Sequence, residues 1–482
     1  MITGILIILP LVFSLILFSV KDEKWIRTLA ISATVAEFIL SVYALVLYVT
    51  QCHCKLLLDL GWSPSLGISL RFGMDGISLL LVLLTTFLLP LIVASSFRHH
   101  YRKPSAFYGL ILLMETAFIG LFSAFDGLVF YIFWELALIP AWFICAVWGG
   151  NDRIRITFKF FVYTFTGSLF MLAALIWLYL RTPLPHSFEI RSLYTASLSA
   201  GEQAWIFTGF FLAFAIKIPI FPFHTWQPDT YTEAPAPGTM LLAGIMLKMG
   251  TYGLLRFLLT VCGGFLAGSG TWFMALAATG IVYASVIAIR QNDLKRLIAY
   301  SSIAHVGLIA AGTFALNRIA LQGVVIQMVS HGINITGLFM ITGMLEKRTG
   351  TRQIPALGGI AAKAPWLAAF FMILLLGSIA LPMTNGFIGE ILLLLGIFKA
   401  NVWIAAVAGL TVILSAVYML RMYQQVMLGQ PNPLTEGIAD LDRFEILILV
   451  PFVILVFWIG LFPGLFLDLA KPAIQDILHL IP

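Results

Sequence analysis

The sequence predicts an all-α polytopic membrane protein of about 14 transmembrane helices, built around two inverted five-helix repeats. Three observations predict it. Of 482 residues, 61% are apolar and only 10% are charged, whereas soluble domains carry about a quarter charged residues. A soluble protein of this size is excluded. The apolar runs reach the roughly 20 residues that a hydrocarbon core of about 30 Å requires. They are continuous rather than alternating, so a β-barrel is excluded and the spans are helices, whose backbone amides bond internally in lipid. Third, two runs are interrupted by proline and glycine in similar ways, five spans apart.

The spans fall near 2–20, 28–50, 75–96, 107–123, 126–148, 156–181, 204–221, 236–257, 272–290, 295–316, 319–344, 364–398, 401–427 and 445–467. The first lacks a cationic leader and a small-residue cleavage site, so it reads as a retained helix rather than a signal peptide. Loops joining odd spans to the following even ones hold 17 of the 28 Lys and Arg, among them Arg98, Arg102, Lys103, Arg153, Arg155, Lys347 and Arg348. Eight fall on the opposite side, and Lys159, Lys217 and Lys248 lie within spans. The cation-rich side is then cytoplasmic, with both termini outside, periplasmic in a bacterial inner membrane. These cations sit singly between helices, so no nucleic-acid partner is expected.

The longest connections are 51–74, 182–203 and 428–444, too short for an attached soluble domain. The chain divides into a three-helix segment (1–106), a first repeat (107–257), a second repeat (258–427), and a last helix with its tail (428–482). Its four cysteines are Cys52, Cys54, Cys145 and Cys262. Cys52-His53-Cys54 lacks the second pair that a zinc or iron–sulfur site requires, so no metal is expected.

The seventh span runs into "KIPIFP". The twelfth reads "LLLGSIALPMTNGFIGEILLLLG", with Pro382, Asn385 and Gly386 in its middle. Proline removes an intrahelical hydrogen bond and glycine loosens the turn. Lipid tolerates freed backbone only where it is enclosed by protein or lines a wet cavity. Because five is odd, a repeated five-helix unit re-enters the membrane inverted, which makes spans 4–8 and 9–13 the candidate repeats. Paired broken helices point to a transport site. The competing explanation is that both are packing kinks.

Ionisable groups at bilayer depth are costly, and they face a partner, a bundle interior or a water-filled path. Glu115, Glu135, Lys217, Lys248, His305, His331 and Glu390 lie at that depth, with Lys159 nearer a cytoplasmic helix end. Glu135 and Lys217 have opposite charge and, if they meet, offset each other's desolvation; a static ion pair is the alternative. Lys248 is flanked by Gly244, Gly250 and Gly253, which allow close helix packing, and lies too far from either helix end to snorkel. His305 and His331 sit among Ser301, Ser302, Ser330 and Asn334. Imidazole accepts a proton on one nitrogen and releases one from the other, which suits a relay, although a lone buried histidine is also an ordinary core residue. Haem ligation is disfavoured. Glu390 closes the row, while Asp126 sits at a turn and reads as solvated or capping. Moving a proton along such a row works against about 2.3 kcal/mol per 100 mV of membrane potential.

The stretches "FWELALIP", "KIPIFPFHTWQPDTYTEAPAPGTMLLAGIMLKMGTYGLLRF" and "QNDLKRLIAYSSIAHVG" resemble the antiporter-like membrane subunits of respiratory complex I. The resemblance covers nearly the whole chain and weakens in the first two spans and in 182–203. It extends to the large subunits of multisubunit sodium/proton antiporters and to membrane-bound hydrogenases. It implies fourteen helices with two inverted repeats. Glu135 and Lys217 would be a coupled pair, Lys248 a central relay, His305 and His331 a bridge, and Glu390 the terminal site. A glutamate at 390, where the sister subunits L and N and the antiporters carry lysine, and an ending without a long lateral helix indicate the subunit M (chain 4) branch.

The expected function is proton translocation within NADH:quinone oxidoreductase, an enzyme whose FMN, iron–sulfur clusters and quinone would lie in partner subunits. The sequence has no dinucleotide glycine motif and no cysteine cluster. Expected partners are neighbouring antiporter-like subunits, the lateral helix of subunit L and the lipid bilayer. The alternatives are a sodium/proton antiporter or hydrogenase subunit, which genome neighbours would reveal, and a structural scaffold, for which Lys217→Ala would be harmless.

Overall fold

The computed structural model describes residues 1–50 and 56–481. Cys52-His53-Cys54 lies outside the described residues, while Cys145 and Cys262 are buried and free of disulfides. Among the described residues, twelve helices are long and apolar enough to cross a membrane. The seventh and twelfth expected spans are the two outside that set. The seventh is Ala200–Lys217, diluted by Glu202, Gln203 and Lys217. The twelfth is split into Pro365–Ser378 and Asn385–Ala400. The seventh expected span thus falls outside the set through its polar residues, and the twelfth through its break.

Contacts divide the chain into two units. The first comprises Met1–Ile218, Ile245–Gly270 and Asp468–Pro482. Its long helices are Ile2–Ser19, Glu23–Thr50, Gly76–Ser96, Pro104–Ser123, Gly127–Trp148 and Arg153–Leu180, followed by Ala200–Lys217. Short polar side chains start several of them. Asp75 accepts from the Ser78 amide, Asp126 from those of Leu128 and Val129, and Ser199 forms a capping box with Glu202. Such caps satisfy amides that lipid could not. The connection after the second helix forms an antiparallel hairpin, Leu58–Ser63 with Ile68–Phe72. Arg71 on its second strand ion-pairs with Asp59 and Glu189. Burial opposes its charge, but the hydrogen bonds it donates to those carboxylates hold the guanidinium above its ordinary pKa. Against this unit lies the amphipathic helix Gly464–Leu480, which buries Leu469, Ala470, Ala473, Ile474 and Ile477 on one face.

The second unit comprises Pro219–Gly244 and Thr271–Leu467. It contains the short helix Trp226–Glu233, the long helices Leu294–Phe314, Arg318–Thr349, Val402–Met427 and Arg443–Leu461, and both halves of the broken twelfth span. Asp293, Asn317, Asn401 and Asp442 cap four of these helices through side-chain oxygens. The most apolar windows of Ala236–Val261 and Arg318–Thr349 are wholly buried, whereas those of the first two helices are 39% and 33% buried. The outer helices instead show apolar faces, and Trp205, Trp272 and Trp403 are more than three-quarters exposed, as tryptophans at a lipid interface are.

The breaks follow from their residues. Pro219 and Pro222 offer no amide, so the helix ending at Lys217 cannot continue, and helix resumes only at Trp226. In the second break, Ala380 and Met383 take left-handed backbone angles around Leu381-Pro382. The freed backbone finds partners: the Ser330 hydroxyl donates to the Asn385 carbonyl at 3.1 Å, and the Asn385 side chain accepts from the Gly386 amide at 2.9 Å. Gly386 is required there, because a Cβ would lie 2.1 Å from the Gly377 carbonyl oxygen.

Candidate functional site

In the first unit, Lys217 is the last residue of its helix and is 1% exposed. Its Nζ has no hydrogen-bond partner and lies 4.9 Å from the centroid of the Trp134 ring. Glu135, the next residue along Gly127–Trp148, is half-buried and acts on Lys217 electrostatically rather than through a hydrogen bond. Ser168, on the helix Arg153–Leu180, is an electrostatic neighbour of both its carboxylate and the Tyr131 hydroxyl one turn earlier. Glu135 thus has a polar neighbour on that helix, while the lysine rests on an aromatic face that attracts a cation. Lys248 is 2% exposed. Two π-helical turns, Leu242–Met246 and Leu254–Leu258, bracket its segment, a feature that recurs at functional sites. Gly250 brings the two lysine-bearing segments together: a Cβ there would lie 2.5 Å from Ile218 Cγ1 and 3.2 Å from Lys217 Cβ.

Further buried polar groups in this unit extend the set. Arg256, which the sequence reading did not single out, is 6% exposed and ion-pairs with Asp75. Tyr252, one turn earlier, shares a 3.0 Å bond with Ser78 and donates to the Phe122 carbonyl at 2.9 Å. Glu115 is fully buried, and so is Glu37, which the sequence reading passed over; none of their four carboxylate oxygens has a hydrogen-bond partner. Asp126 caps its helix as expected. Lys159 is half-buried in the second turn of Arg153–Leu180.

In the second unit, His305 Nδ1 lies 2.9 Å from Glu390 Oε1. The rings of His305 and His331 are 6.4 Å apart between centroids. His331 Nε2 lies 3.1 Å from the Ser302 hydroxyl, which accepts from Gln227 Nε2 at 3.5 Å. Asn334 donates to Asn385 Oδ1 at 3.0 Å, tying this group to the broken span that carries Glu390. His305 Nε2 and Glu390 Oε2 have no hydrogen-bond partner, so each end of the pair keeps one atom open to a proton. The predicted row thus falls into two groups, Glu135, Lys217 and Lys248 in one unit and His305, His331 and Glu390 in the other. Among the described residues no three His, Cys, Asp or Glu side chains gather as a metal site would need.

A helical membrane bundle whose buried charges sit at interrupted helices defines the class of antiporter-like, ion-translocating membrane proteins. Comparison with known proteins narrows it. Residues 124–415 match the family profile described as NADH:quinone oxidoreductase/Mrp antiporter, and residues 5–121 match the amino terminus of NADH-ubiquinone oxidoreductase chain 4. NADH-quinone oxidoreductase subunit M of Rickettsia typhi is 39% identical, covering 99% of this chain and 98% of its own. NADH-ubiquinone oxidoreductase chain 4 of Arabidopsis thaliana is 35% identical, covering 98% and 96%. A chain in the structure of respiratory complex I from Thermus thermophilus superposes with a TM-score of 0.93 at 33% identity, covering 100% of both. The chain belongs to the antiporter-like membrane-subunit family of NADH:quinone oxidoreductase, in its subunit M (chain 4) branch. It is a multi-pass integral membrane subunit of that enzyme complex and works in proton translocation.

Proposed function

We propose that this subunit moves protons through its buried side chains, Glu135, Lys217 and Lys248 in the first unit and His331, His305 and Glu390 in the second, driven by electron transfer in partner subunits. The carrying observation is Lys217: an amine 1% exposed, without a hydrogen bond, held between an aromatic face and a nearby carboxylate. An ammonium in that position is supported by Glu135 and by the Trp134 face, so any change that moves or neutralises Glu135 removes one of its two supports. Glu135 is the half-buried member, and a neighbouring subunit can act on it. The neighbours are other antiporter-like subunits and the lateral helix of subunit L, with FMN, iron–sulfur clusters and quinone housed elsewhere in the complex. The membrane is the bacterial inner membrane with both termini periplasmic, as the lysine and arginine distribution supports. The test is Glu135→Ala and Lys217→Ala in the assembled complex, in inside-out vesicles. NADH-driven proton uptake is expected to vanish while assembly persists; wild-type uptake would overturn the assignment.

A further inference from the structure

Within the second unit, the helices Trp226–Glu233 and Leu294–Phe314 pack along one another, and polar contacts fasten both ends of that seam. At one end Gln227 donates to Ser302, which bonds His331. At the other, Lys295 Nζ donates to the Ala234 carbonyl at 3.2 Å. Lys295 and Ser302 are seven residues apart, so they share one helix face about 10.5 Å apart. Gln227, Tyr231 and Ala234 follow the same spacing on the opposing strip. The seam therefore leads from Lys295 to the histidine and Glu390 group.

Its outer end reaches water at a carboxylate. Lys295 is 3% exposed, whereas Glu346, 3.5 Å away, is 35% exposed on its side chain. Glu346 also lies 3.4 Å from Arg352, which bonds Asp293 at 2.6 Å. If Lys295 becomes neutral, Glu346 keeps the Arg352 charge beside it. Arginine holds its proton under all ordinary conditions, while a buried lysine can surrender one. Lys295 is thus an exchangeable cation placed between a water-facing carboxylate and the histidines.

We propose that Lys295 loads protons into the second unit, taking them from water at Glu346 and passing them along the Gln227–Ser302 seam to His331. The proton adds to the neutral amine, and the ammonium then gives it up, through water in the seam, to the imidazole; no other bond changes. This rests on the proton-translocation reading above. It places proton uptake on the side where lysine and arginine accumulate.

The test compares Lys295→Arg, Lys295→Met and Glu390→Gln in the assembled complex, in inside-out vesicles. Arginine preserves the charge and the Glu346 contact but cannot release a proton. Proton pumping by K295R and by K295M is expected to fall about a hundredfold, the low end for a positioned proton-transfer group, with assembly unchanged. If arginine restores wild-type pumping where methionine does not, Lys295 is a structural clamp and the proposal is overturned. If E390Q also pumps as wild type, it is the translocation reading that fails. Should K295R not assemble, Glu346→Gln decides: slowed pumping that recovers at lower pH supports the proposal, and wild-type rates at every pH overturn it.

Discussion

His305 Nδ1 and Glu390 Oε1 are 2.9 Å apart, and both residues are 2% exposed. A carboxylate bonded to one imidazole nitrogen fixes the ring and leaves the other nitrogen to receive a proton. His305 Nε2 is that open atom, and Glu390 Oε2 is the open atom at the other end. The arrangement is a shared bond with one open atom at each end.

If this pair works as a unit, its variants are non-additive. Glu390→Gln keeps a hydrogen-bonding side chain of the same shape but removes the charge, and His305→Gln removes the titratable ring. Each is expected to slow NADH-driven pumping in assembled complex by about a hundredfold while leaving a measurable rate. The double variant should be no worse than the poorer single, with a coupling of about 0.5–3 kcal/mol in a double-mutant cycle of pumping rates. Multiplicative losses would show that the two side chains act separately.

The ionisable groups were legible because a charge in an apolar run is conspicuous, and the same rule should have found Glu37 in "ATVAEFIL". The breaks were legible because proline denies an amide wherever it falls. Other parts left no such mark. Trp134 in a span looks like any lipid-facing aromatic, and Ser168 like any small packing residue; only the fold brings them to Lys217 and Glu135. Arg256 went unremarked at the edge of the span expected over 236–257, and only the fold brings Asp75 to its charge from 181 residues away. The π-helical turns around Lys248 have no single-sequence signature, since they depend on how neighbouring helices load the backbone.

Gly386 gives a prediction about the break rather than the charges. A methyl group there would meet the Gly377 carbonyl oxygen at 2.1 Å, and backbone cannot rotate away as a side chain can. Gly386→Ala is expected to cost about 1–3 kcal/mol or more, seen as a lower melting temperature or a smaller yield of assembled complex. Gly437→Ala is the control, since nothing lies within 4 Å of its added Cβ. Equal behaviour of the two variants would mean that the second break is pliable, not a fixed elbow.

Trp134 tests how Lys217 is held. The Nζ lies 4.9 Å from the ring centroid and has no hydrogen bond, so the indole face and Glu135 are what stabilise its charged form. A desolvated cation–π contact contributes about 2 kcal/mol, strongest for tryptophan and weaker for phenylalanine. Trp134→Leu removes the aromatic face while filling much of the space, and Trp134→Phe keeps a weaker one. Proton pumping in assembled complex should therefore fall in the order tryptophan, phenylalanine, leucine, with the leucine variant slower by roughly thirtyfold if the full contact is lost in a step that needs the ammonium. Packing alone predicts a different pattern: phenylalanine and leucine would fail alike, with matching losses of thermal stability. Pumping that tracks ring identity while stability stays level would mark the indole as part of the proton site.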